Sequence, residues 1–150
     1  MAKIKQLELV VKIETEKEQH LARQYQLAKQ NAFDNQQKLN SLEQYRVDYI
    51  ALIKQKAEQG VSARALIQHQ SFVGKLDKAC EQQVEMINQC HLVSEQRKQQ
   101  WIAQQTRTKA IHLLLNKQKS KKTQLENKQE QRLFDELSAQ SHIKSINSVL

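Results

Sequence analysis

Lys56-Ala57-Glu58-Gln59-Gly60-Val61-Ser62-Ala63-Arg64-Ala65-Leu66 is the stretch on which the chain's course depends. Gly60 is one of only two glycines among 150 residues, the other is Gly74, and there is no proline. Glycine and proline punctuate chains into turns, so their scarcity calls for very long elements. Gly60 stands where a C-terminal helix cap belongs, and Ser62 where an N-cap belongs. A helix therefore ends at about residue 58, the chain turns over 59–62, and a second helix starts at about 63.

Outward from that turn, apolar residues recur at alternating steps of three and four. In helix one, about 4–58, the seam runs Ile4, Leu7, Val11, Glu14, Glu18, Leu21, Tyr25, Ala28, Ala32, Asn35, Leu39, Leu42, Arg46, Tyr49 and Ile53. Eleven of these fifteen are apolar, over seven heptads, the mark of a coiled-coil seam. Helix two, about 63–137, keeps the beat through Leu66, His69, Val73, Leu76, Cys80, Gln83, Ile87, Cys90, Ser94, Arg97, Trp101, Gln104, Thr108, Ile111 and Leu115. A chain folded back at residue 61 brings together residues whose numbers add to about 122, and the two seams agree at every layer. Tyr49 then meets Val73, Ala32 meets Cys90, Leu21 meets Trp101, Tyr25 lies near Arg97, and Leu7 meets Leu115. The expected fold is all-α, a long antiparallel two-helix coiled-coil hairpin forming one domain over residues 1–150.

At about 1.5 Å per residue, such arms make a rod on the order of 80 Å long. Helix two outruns helix one and projects alone, and residues 138–150 are expected to fray. Glu14, Glu18, Arg97, Gln104 and Thr108 dilute the seam away from the turn, lowering stability there while fixing register. Gly74, inside helix two, permits a bend.

Composition excludes several classes. Apolar residues are 39% and charged residues 27%, with 25 glutamines, too polar for a multilayer core but suited to helices that each bury one stripe. The apolar residues are periodic rather than sparse, which argues against disorder. No run approaches the roughly 20 residues of a membrane span, and the N-terminus lacks the features of a signal peptide. Two cysteines do not make a disulfide framework, so a cytoplasmic setting is expected.

The net charge of +8 is concentrated: Arg97 to Arg132 carries ten Lys/Arg against two Glu. That segment is either a solvated face or a surface for an acidic partner. Catalytic, cofactor and metal sites are not expected. There is no phosphate loop, no His-x-x-x-His and no CxxC, and the five histidines are scattered. Nucleic acid is not an expected partner, because the basic segment lacks aromatic interleaving and any recognition module.

The anomaly lies beside the seam. Over most of its length the flanking edge is polar, but near the turn it becomes Tyr45 and Leu52 facing Ala65, Phe72, Ala79 and Met86. Leu42, Tyr49 and Leu76 adjoin them on the seam. An apolar, aromatic stripe on a hairpin too thin to bury it predicts a docking surface.

Tyr45-x-x-x-Tyr49 before a glycine-containing turn, then Phe72-x-x-x-Leu76, Trp101, the basic helix and Asp135-Glu136, together resemble the FliJ family of the bacterial flagellar type III export apparatus. The resemblance covers almost the whole chain. It implies a non-enzymatic, stalk-like coiled coil that binds the hexameric export ATPase, FliI-like, and the export gate protein, FlhA-like, and assists export chaperones. It implies a cytoplasmic protein, peripheral at the inner membrane only through partners. The gate-binding patch of that family maps onto Leu42, Tyr45, Tyr49, Phe72, Leu76 and Ala79, flanked by Gln83 and by Lys38, a charged departure. The ATPase contact maps onto Arg132, Asp135 and Glu136. The alternatives are the equivalent stalk of a virulence secretion system, or a basic coiled coil binding nucleic acid.

Overall fold

The structure, a computed structural model, describes residues 2–149, and all but four of these are helical. Helix α1 spans Ala2–Glu58 and α2 spans Ala63–Val149, with no strand among the described residues. Where they join, Gln59 N–H donates to the Lys56 carbonyl at 3.1 Å and Gly60 N–H to that of Ala57 at 3.2 Å. Those bonds tighten the last turn of α1, and Gly60 then takes a φ of 93°, the left-handed region that ends helices. Ser62 opens α2 as its cap, its hydroxyl accepting from Ala65 N–H at 3.2 Å. The reversal follows from those two residues.

Burial follows the three-four spacing closely. Every one of the fifteen seam positions of α1 is buried or half-buried, and so are fourteen of the fifteen in α2. The exception is Leu66, exposed in the first turn of α2. All eight fully buried described residues are seam positions. The hydrogen bond from Thr108 Oγ1 to the Glu14 carbonyl, 3.3 Å long, falls on the expected antiparallel register.

The chain divides into two packed units. One is Glu18–Gln104, which contains the turn. Its buried residues are Ala32, Leu39, Leu76, Ile87 and Cys90, an apolar core one side chain thick. A polar ladder crosses it: Gln83 Nε2 donates to the Asn35 carbonyl at 2.9 Å, and Asn35 Nδ2 to the Asn31 carbonyl at 2.8 Å. Arg46 pairs with Asp77 at its edge. Trp101 stacks on Tyr25 with centroids 5.8 Å apart. The indole is long enough to lie along the seam and reach one turn beyond its own layer, while Arg97 turns to Gln100 at 3.3 Å.

The second unit comprises the described parts of Met1–Lys17 and Gln105–Leu150. Of its three buried residues, Leu115 is apolar but Glu14 and Thr108 are not. The Glu14 carboxylate lies 3.6 Å from Lys17 Nζ and 3.4 Å from Arg107 Nε. Lys119 and Glu8 close the edge at 3.5 Å. A buried, paired carboxylate thus stands at one of the polar seam positions that the spacing marks.

Residues 138–149 correct the expected fraying, because α2 remains helical through Val149. No glycine or proline interrupts it there, so nothing local ends the helix. From Thr123 to Val149 every residue is exposed.

Candidate docking surfaces

Three aromatic rings gather beside the turn. Tyr45 and Tyr49 are one helical turn apart on α1, and Phe72 is delivered to them by α2. Phe72 meets Tyr49 edge-on with centroids 4.7 Å apart and Tyr45 edge-on at 6.3 Å, while the two tyrosines are roughly parallel at 6.4 Å. Edge-to-face pairs at such separations are favourable beyond the area they bury. His69, one turn before Phe72, completes the group: its ring lies 5.7 Å from that of Tyr49, and its Nδ1 is 2.7 Å from the Tyr49 hydroxyl.

Leu42, Tyr45, Tyr49, Phe72, Leu76 and Ala79 fall into three layers by exposure. Leu76 is buried and forms the floor. Leu42, Tyr49, Phe72 and Ala79 are half-buried and form the wall. Tyr45 stands 51% exposed, and Leu52 and Met86 are almost equally open. The patch therefore offers one protruding ring on a preorganised aromatic base, the form of a binding hot spot. Lys38 is exposed at its border, and Gln83 is held away from it by Asn35.

Spacing places His69 on the seam but does not show its bond to Tyr49. Its position three residues before Phe72 was the available signal, since residues three apart share a face.

Arg132, Asp135 and Glu136 lie together on the exposed stretch of α2, within two turns of one another. Asp135 accepts from Gln131 Nε2 at 3.1 Å, a local bond that leaves its outer oxygen to solvent or a partner. Of the ten cations between Arg97 and Arg132, Arg107, Lys119 and Lys122 enter ion pairs, with Glu14, Glu8 and Glu126. The segment consequently keeps most of its positive charge at the surface.

Cys80 is half-buried and Cys90 buried, the latter accepting weak bonds from Asn31 and Asn35. Among the described residues no group of three His, Cys, Asp or Glu side chains is placed to hold a metal ion. No helix is long and apolar enough to cross a membrane.

A family model described as flagellar FliJ protein matches residues 3–147. No curated protein and no solved structure gives a match to the chain.

Proposed function

The chain belongs to the flagellar FliJ family and is thereby a component of the flagellar export apparatus, and on that footing we propose that it works there as a stalk-like adaptor. Its aromatic edge beside the turn docks the export gate protein. The exposed stretch of α2, through Arg132, Asp135 and Glu136, contacts the export ATPase ring, and the hairpin assists export chaperones in passing their cargo. The chain hydrolyses nothing itself and sits at the inner membrane only through these partners.

The observation that carries this reading is the aromatic cluster of Tyr45, Tyr49 and Phe72. It is preorganised by ring contacts and by His69, so binding need not order it, which favours affinity for the area it offers. A ring-contacting stalk also needs stiffness with uneven surface charge, and two uninterrupted helices with a one-sided basic segment supply both.

The test replaces Tyr45, Tyr49 and Phe72 together with Ala. Loss of binding to the purified cytoplasmic part of the gate protein, with loss of motility in a complemented strain, is the expected result. Circular dichroism checks that the variant stays helical. Unchanged binding and motility in a folded variant would overturn the gate assignment.

A further inference from the structure

Beyond Leu115 the three-four spacing of the α2 seam runs on through Gln118, Lys122, Leu125 and Gln129. Ile4, the first seam residue of α1, is half-buried, whereas Leu125 stands 59% exposed. Both line a groove of about 470 Å³, together with Lys3, Gln118, Lys121 and Lys122. That volume is in the range of ligand pockets. The groove also continues the surface on which α1 already lies, so its side-chain ridges have the spacing that seats a helix.

Its charge is positive. From Lys117 to Arg132 there are six Lys/Arg against two Glu. Glu126, the acid in the groove wall, lies 3.9 Å from Lys122, and the Glu8 carboxylate is taken by Lys119 at 3.5 Å. Lys3 and Lys121 enter no ion pair among the described residues. Two unpaired cations thus rim a recess with an apolar side chain from each helix.

We propose that this groove seats an acidic helix of another protein. One large apolar side chain of that helix enters between Ile4 and Leu125, and carboxylates beside it meet Lys3, Lys121 and Lys122. The apolar contact supplies the anchor, and the charges set approach and orientation. The contact is small and its charges are exposed, so binding is modest and weakens with added salt. A second copy of the chain fits less well, because it brings a further net charge of +8. A flat anionic bilayer meets the lysines but not the recess. The reading rests on the groove and not on the contact assigned to Arg132, Asp135 and Glu136.

The probe is a hydrocarbon-stapled, fluorescein-labelled peptide that repeats Leu at three-four spacing with Glu beside it, titrated with the full chain and read by anisotropy. Saturable binding is expected, weakened at least roughly tenfold by Lys3→Glu/Lys121→Glu, because like charges then face each other. Leu125→Ser should weaken it roughly tenfold through the lost apolar contact. Lys109→Glu/Lys144→Glu makes the same change of charge away from the groove, and should alter affinity by no more than roughly threefold, because screening limits the reach of exposed charges. Circular dichroism checks that each variant stays helical. Absence of saturable peptide binding overturns the proposal, and so does an equal loss from the two charge reversals. Without peptide binding, two further results name the occupant that replaces it. Phosphatidylglycerol vesicles bound through Lys3 and Lys121 assign the surface to a bilayer, and a dimer lost in Leu125→Ser assigns it to a second copy.

Discussion

The hydroxyl of Tyr49 lies 2.7 Å from Nδ1 of His69, and that bond holds the ring on which Phe72 leans. Tyr49→Phe keeps the ring and removes the bond. Hydrogen bonds of this type contribute about 0.5–1.5 kcal/mol, so urea denaturation should show a loss of that size. His69→Ala should cost a similar amount, and the double variant less than the two together, because both remove one interaction.

Tyr45 and Leu76 should separate binding from stability. Tyr45 is half exposed, so Tyr45→Ala should change stability by no more than about 0.5–1 kcal/mol. A hot-spot ring nevertheless costs about 2 kcal/mol or more on truncation, so gate affinity should fall roughly thirtyfold. Leu76 is buried, and Leu76→Ala should destabilise by about 2–5 kcal/mol through lost contacts and a cavity. Titration calorimetry and thermal melts of the two variants check the contrast.

The two glycines should respond in opposite directions. Gly60 has φ 93°, and an L side chain there costs about 1–2 kcal/mol, so Gly60→Ala should lower the melting temperature. Gly74 is inside α2, and an added Cβ there meets nothing within 4 Å. Gly74→Ala should therefore stabilise the chain by about 0.5–1 kcal/mol. A drop in melting temperature for Gly74→Ala would count against this account.

Glu14 is an opportunity for stabilisation. Replacing a buried charge by an apolar side chain of similar size is often neutral or stabilising, by up to about 1–4 kcal/mol. Glu14→Leu should therefore hold or raise stability against urea, whereas Arg107→Ala should lower it modestly, by about 1 kcal/mol, because Lys17 remains beside the carboxylate and Arg107 is largely exposed.

The seam and the turn could be read from spacing because one periodic stripe is all that two helices need to bury, and because Gly60 and Ser62 carry distinct capping chemistry. Spacing assigns layers, however, and long side chains cross them. That is why Trp101 stacks on Tyr25, and why His69 bonds Tyr49 rather than merely filling a seam position. The aromatic edge was legible as composition, but its depth was not: the pattern places Leu76 beside the patch without showing that it is the floor. The end of α2 departs from the expected fraying because a terminal position alone does not unwind a helix, and no residue in 138–149 favours leaving one strongly enough to stop it.

The sealed carboxylate of Glu14 has a mechanical consequence. Sliding one helix along the other by a heptad would set it against Trp101 in one direction or Leu115 in the other, in place of Thr108. Leu115 offers no donor and Trp101 only a single indole N–H, and neither carries a charge to answer the carboxylate. Glu14 therefore acts as a detent against shear, so a force applied along one helix is passed to its partner instead of being lost in slippage.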